Sequence, residues 1–455
     1  MGSLVNGKKT LRVLMFPWIA HGHISPYLEL AKRLAGRNFI VYLCSTPANL
    51  SSIKNKISEK LAPKIQLVEL HLPVLQDLPA SHHTTNGLPP HLMPTLKKAF
   101  EMSAPRFSCI LGEIMPDLLV YDFLQPWAPL AAAAIQIPAV EFITSSAIMT
   151  AFMFHFFKKP GVEFPFPAIF YRDYELVHRA KLLESSANEK VKEIADQGIQ
   201  RSSGIVLVKG FEEVEGRYVK YLSNLLKKKV VLVGALVADP SPEMDESSEI
   251  MDWLNRKGEK STVFVSFGSE YFLKKDDMNE LAHGLELSKV NFIWVVRFPL
   301  GEKIELQEAL PKGFFEKVRG RGLVVEGWAP QTKILGHKNI GGFVSHCGCS
   351  SIIEGMHFGV PIIAMPMHLD QPINARLVED LGIGMEVVRD KFGQLQQETV
   401  AEVIHKVVVD RAGEPIRKTV RDLSQKMRKE EDIEVDEVVL EFVKLCSNGK
   451  NGMPY

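Results

Sequence analysis

Short apolar runs rich in β-branched and aromatic residues recur along this chain, separated by stretches with helical periodicity. This alternation restricts the fold more than any other property of the sequence. A first series lies at residues 12–16, 40–44, 65–70 and 118–121, with helical stretches at about 26–34 and 127–135. A second lies at residues 262–267, 292–296, 323–325, 342–345, 361–364 and 385–388. Strands that alternate with helices pair in parallel, because a parallel neighbour is reached only by a crossover long enough to hold a helix. Two series therefore predict an α/β protein with two doubly wound domains. Between them, residues 238–248 hold Pro240 and Pro242 among Asp, Glu and Ser without an apolar period, the composition of an exposed connection. The expected organisation is a first domain over 1–238, a linker over 239–250, a second domain over 251–430, and a C-terminal helix and tail over 431–455 that packs back on the first domain.

Composition closes off several function classes. Lys+Arg and Asp+Glu both number 54 in 455 residues, so the whole-protein field gives no attraction for nucleic acid or an anionic membrane, and any anion must be bound locally. The apolar stretch 126–157 is interrupted by Pro129, Pro138 and Glu141, so no membrane span is expected. Five scattered cysteines do not make a disulfide framework, and a reducing cytoplasm is the expected location. Cys347 and Cys349 with His346 offer at most three ligands where zinc usually takes four, so no metal site is expected.

In open α/β sheets, ligands sit beyond the carboxyl ends of the strands. Three post-strand loops carry chemistry: 17–25, 122–127 and 345–354. His346-Cys347-Gly348-Cys349-Ser350-Ser351 leads from a strand into a helix, which places free backbone N–H groups and a helix dipole where an anion such as a diphosphate can dock. Ser351 and Glu354 fit two readings, a capping box that satisfies backbone N–H groups or a carboxylate that holds ribose hydroxyls. Ser266-Phe267-Gly268-Ser269 ends another strand and suits a second phosphate contact. A histidine can take an alcohol proton near neutral pH, and in the first loop both His21 and His23 fit that chemistry. Asp122, at the end of a strand of the same domain, can orient an imidazole or act as a turn or capping residue.

Trp328-Ala329-Pro330-Gln331, His346-Cys347-Gly348, Glu354-Gly355, Gly359-Val360-Pro361 and Asp370-Gln371 fall in register over 44 residues. Together they resemble the signature box of plant UDP-sugar-dependent glycosyltransferases, and the likeness extends to Gly22-His23, Asp122 and Ser266–Ser269. The resemblance implies a GT-B fold, two Rossmann-like domains facing across a cleft, with the donor on the second. It assigns Trp328 to stacking on uracil, Ala329 and Gln331 to the base, and Glu354 to the ribose. His346, Gly348, Ser350, Ser351 and Ser269 go to the diphosphate, and Asp370 and Gln371 to the sugar hydroxyls. It also selects His23 over His21 as general base, with Asp122 as its partner, for a single inverting displacement that uses no metal or other cofactor. The departure is Cys349, where the family usually has Trp at the edge of the sugar pocket. Gln371 keeps UDP-glucose first, with UDP-rhamnose or UDP-xylose as alternative donors.

For the acceptor, Trp18, Phe123, Phe142 and Thr144, with the aromatic stretch 152–157, are expected to line an apolar pocket. Segments 83–92, 267–272 and 367–372 resemble the branch-forming members, which add a sugar to the sugar of an existing flavonoid or terpenoid glycoside. The expected partners are thus a UDP-sugar and a small-molecule glycoside, bound by a monomer. A non-catalytic nucleotide-sugar binder is the competing class, and the presence of both His23 and Asp122 speaks against it. A serine hydrolase would need a Gly-x-Ser-x-Gly elbow, which the turn at Gly268-Ser269-Glu270 does not supply.

Overall fold

Consecutive apolar side chains, rather than alternating ones, mark strands covered on both faces, and this is how the inner strands of this chain are arranged, such as Leu118–Tyr121 and Thr262–Ser266. The computed structural model describes residues 10–177, 187–238, 248–268, 271–298 and 304–451. Among them, β1 (Leu11–Phe16), β2 (Phe39–Ser45), β3 (Ile65–Glu69), β4 (Leu118–Tyr121), β5 (Ala139–Ile143), β6 (Ile205–Val208) and β7 (Lys229–Leu232) form one sheet. Its order is β3-β2-β1-β4-β5-β6-β7, with every pair parallel. A second parallel sheet holds β8 (Thr262–Ser266), β9 (Asn291–Val296), β10 (Gly322–Glu326), β11 (Ile340–Ser345), β12 (Ile362–Ala364) and β13 (Gly384–Glu386) in the order β10-β9-β8-β11-β12-β13. Each order reverses once, between β1 and β4 and between β8 and β11, and these are the points where an open α/β sheet leaves a crevice.

Several local expectations are corrected. The first helix is His21–Ala35 and begins five residues before Pro26, so Gly22 and His23 lie in its first turn rather than in a loop. The N–H that Pro26 lacks would have reached Gly22, so the helix gives up one bond there and keeps the rest. Strands β5, β6 and β7 were not among the expected runs. Ala139–Ile143 carries Glu141 within an alanine-rich stretch, and four-residue runs such as Ile205–Val208 cannot be told from buried helix by periodicity. One helix runs continuously over Glu414–Asn451, through the charged stretch at 428–437. Of the expected linker, residues 239–247 lie outside the described residues, and the helix Ser248–Asn255 begins within its remainder.

Two features join the domains. One apolar core contains Phe154, Ile199 and Tyr218 from the first domain together with Cys349, Ile352 and Met427 from the second. The helix Glu414–Asn451 places Val438, Phe442 and Cys446 in the core built on Val13 and Val41, which returns the chain to the first sheet. No described helix is long and apolar enough to cross a membrane.

Candidate active site

Because β1 and β4 are neighbours, with Phe16 paired to Tyr121, the segments that leave their carboxyl ends start side by side. The helix His21–Ala35 leaves β1 almost at once, capped by the Ala20 backbone, and carries His23 in its first turn. Asp122 follows β4 directly and is fully buried. The His23 Nδ1 and Asp122 Oδ2 atoms are 2.6 Å apart, and the Thr144 hydroxyl, just past β5, is 3.2 Å from the same Nδ1. The His23 side chain is 22% exposed against 0% for Asp122, so the carboxylate sits behind a ring that reaches the surface of the cleft. Asp122 is not a helix cap: the next helix, Ala128–Ala134, starts from Trp127. Among the described residues, His21 has no comparable carboxylate bond. Burial, and then the nearby cations Lys56 and Arg297, push its imidazole down to about 4.

The second domain presents its polar groups at the other switch point. β8 and β11 run together to Ser266 and Ser345, and the backbone then turns at Gly268 (φ +75°) and Gly348. His346 fills the space between these glycines. A Cβ on Gly268 would sit 2.8 Å from its ring, and one on Gly348 2.7 Å from its Nε2. Burial, and secondarily the nearby His368, lower the His346 imidazole to about 4, so the ring is neutral at physiological pH. The helix Cys349–His357 starts from Gly348 without a side-chain cap, which leaves its first-turn N–H groups directed at the cleft beside Ser350 and Ser351. The capping-box alternative for Glu354 is not realised. Glu354 accepts a 2.7 Å bond from Gln331 Nε2, which also lies 3.3 Å from Ser351 Oγ, and burial raises the carboxyl above its ordinary range.

Trp328, just past β10, has 53% of its surface exposed, an open aromatic face at the cleft beside the largely buried Ala329. Asp370 accepts from Asn374 Nδ2 at 2.8 Å. Gln371 Oε1 accepts the Met367 and His368 N–H groups at 3.0 and 3.1 Å, fixing the loop after β12. Ser269 lies outside the described residues. All the other expected donor residues, together with His23, Phe123 and Thr144, line one cleft of about 2890 Å³ between the domains.

Two expected acceptor residues are corrected. Trp18 is 6% exposed and stands edge-on to Phe100 in the core, and Phe142 is 0% exposed against Tyr27, so neither lines the cleft. Both continue the apolar pattern of the sheet, and burial of large side chains beneath the sheet claimed them. The apolar wall comes from the helix Ala147–Lys158, where the expected stretch 152–157 exposes Met153, Phe156 and Phe157 to the cleft.

Sequence reasoning missed two polar residues. Asn374 accepts from Ser146 Oγ of the first domain at 2.7 Å and donates to the Cys347 carbonyl at 3.0 Å, and one polar residue among several in the helix Gln371–Asp380 gave no distinct signal. Lys209 follows β6, is 2% exposed and donates to Ser350 Oγ at 2.8 Å. A lysine at the carboxyl end of the run Ile205–Val208 was its available signal. No group of three or more His, Cys, Asp or Glu that could hold a metal ion occurs among the described residues.

The family "Glycosyltransferase, N-terminal domain" matches residues 9–238, and "UDP-glucoronosyl and UDP-glucosyl transferase" matches residues 219–432. The chain is 51% identical, over 93% of its own length and 96% of the relative's, to the β-D-glucosyl crocetin β-1,6-glucosyltransferase of Gardenia jasminoides. It is 49% identical, over 94% and 96% of the two chains, to a mogroside IIIx synthase of Siraitia grosvenorii. Its fold superposes on the crystal structure of Glycyrrhiza uralensis UGT73P12, complexed with glycyrrhetinic acid 3-O-monoglucuronide. That match has a TM-score of 0.85 and 24% identity over 97% and 98% of the two chains. With two parallel Rossmann-like sheets facing across a cleft and relatives matched over nearly the whole length, the chain belongs to the plant UDP-sugar-dependent glycosyltransferases and is a GT-B enzyme of that family.

Proposed function

We propose that the enzyme transfers glucose from UDP-glucose, with inversion, to a sugar hydroxyl of a small plant glycoside. The observation that carries the catalytic half of this reading is the 2.6 Å His23–Asp122 pair on the cleft wall opposite the turn 346–351. A proton on Nδ1 donated to Asp122 leaves Nε2 as the basic nitrogen of the ring. Nε2 takes the acceptor O–H proton as that oxygen attacks the anomeric carbon. The bond from that carbon to the diphosphate oxygen breaks, and UDP departs with the electron pair. Asp122 steadies the imidazolium that forms.

Trp328 offers an aromatic face for uracil, and Glu354, oriented by Gln331, accepts from ribose hydroxyls. His346, Ser350, Ser351 and the first-turn N–H groups receive the diphosphate, whose charge a helix N-terminus favours. Asp370 and Gln371 face the donor sugar, and this arrangement calls for no metal ion. Cys349 is 7% exposed, so the pocket edge formed by Trp in much of the family is smaller here. Both relatives named above act on glycosidic substrates or products by their names, which supports a glycoside acceptor. Met153, Phe156 and Phe157 then supply the apolar surface for the aglycone. No disulfide joins any two of the five cysteines, all of them among the described residues, which suits a cytoplasmic enzyme, and we read it as a monomer.

The test pairs aglycones with their monoglucosides as acceptors for UDP-glucose, with products read by mass. Transfer to the monoglucosides at kcat/KM at least tenfold above the aglycones is expected. Transfer to the free aglycones alone would reject the glycoside reading.

A further inference from the structure

Lys209 is a lysine from the first domain buried against the donor turn of the second. Its backbone N–H is held by the Ile143 carbonyl at 3.0 Å, which fixes where the side chain leaves β6. The side chain is nine-tenths or more buried, and its Nζ donates to Ser350 Oγ at 2.8 Å across the domain boundary. No carboxylate among the described residues comes within ion-pair distance of Nζ. Glu354 and Glu29 act on it only from farther away. A buried ammonium without a counter-ion is costly and persists where a partner completes it. The nearest place for such a partner is the anion-docking turn on the far side of Ser350, which lines the cleft.

The bond has a direction. Ser350 Oγ spends a lone pair on the Lys209 ammonium, so its single hydroxyl hydrogen is available to donate elsewhere. Sent into the cleft, that hydrogen meets a phosphate oxygen, with a positive charge directly behind it in a region of low dielectric.

We propose that Lys209 is a positioning residue for the donor: through Ser350 it directs a hydroxyl at the diphosphate and supplies the cation that pairs with it across the domain boundary. The proposal rests on the reading that the turn 346–351 receives the diphosphate. It gives the first domain a part in holding the donor. Burial lowers the Lys209 ammonium from its ordinary range, and an adjacent diphosphate would restore it.

The test measures binding of UDP and of uridine by calorimetry to the wild type, Lys209→Met, Ser350→Ala and the double variant. Uridine carries the base and ribose without the diphosphate, so it reports both fold and base recognition. Lys209→Met is expected to weaken UDP about 10- to 100-fold, as loss of a hydrogen bond involving a charged group does, with uridine affinity within about twofold. Because Lys209 acts through Ser350, the double variant should lose little more than Ser350→Ala alone. Unchanged UDP affinity in Lys209→Met, or an equal loss for UDP and uridine, would overturn the proposal. If Lys209→Met does not fold, Lys209→Gln is held to the same two outcomes. A wild type that binds UDP no more tightly than uridine would instead remove the diphosphate reading itself, and the proposal with it.

Discussion

At the residue scale, the proposed chemistry rests on a carboxylate that water does not reach. Asp122 is fully buried, and besides His23 its side chain lies 3.4 Å from the Leu124 N–H, a long contact for a hydrogen bond. Its short bond is the one to the imidazole. Asp122→Asn keeps the shape but loses the negative charge and can hold the ring in the wrong tautomer. It should lower kcat by about 100- to 10,000-fold with KM for the donor little changed. Steady-state kinetics with thermal unfolding checks this, since a lowered melting temperature with wild-type kcat would make Asp122 a turn residue only. Trp18 and Phe142 show the opposite case, in which an aromatic near a site-bearing loop belongs to the core. Composition alone does not distinguish the two, because a large apolar ring serves a core and a ligand pocket equally well.

At the element scale, a set of charges ties the edge strand β13 of the second sheet to the first domain. Arg376, on the helix Gln371–Asp380, is 2% exposed and pairs with Glu386 of β13 and with Glu175 of the first domain at 3.0 Å. Arg172 of the first domain adds two bonds to Glu386, at 3.2 and 3.0 Å. Glu386→Gln leaves two guanidinium groups facing a neutral amide, and removing one partner of a buried pair costs about 3–5 kcal/mol. Chemical denaturation should show a loss of that order. A change below about 1 kcal/mol would mean that solvent already screens the pair.

The same scale explains what could be read from sequence. All six strands of the second sheet overlap expected runs, because a short apolar run lies within each of them or, for β13 (Gly384–Glu386), continues just beyond it. In the first sheet, β5 hides Glu141 in its middle, and β6 and β7 are too short to carry a period. The helix His21–Ala35 misled for a definite reason: proline favours a first-turn position, yet here packing of the helix against β2 starts it earlier and moves His23 from loop to helix. The spaced motifs marked the cleft residues well. Lys209 had no motif, and only the order of the strands brings it to Ser350.

At the scale of the whole molecule, neither domain holds a complete site. The first carries His23, Asp122, Thr144 and the exposed aromatics, the second carries Trp328, Glu354 and the turn 346–351, and the cleft between them is lined by both. The shared apolar core and the returning helix Glu414–Asn451 keep the two in register. The central claim is a division of labour, with base chemistry on the first domain and donor binding on the second. His23→Ala tests it most directly, with transfer to a glycoside acceptor and affinity for UDP measured on the same preparation. The account predicts transfer reduced by about 100- to 10,000-fold, the usual worth of a general base, with UDP affinity within about twofold of wild type. Wild-type turnover in that variant, or UDP binding lost in step with transfer, would contradict it.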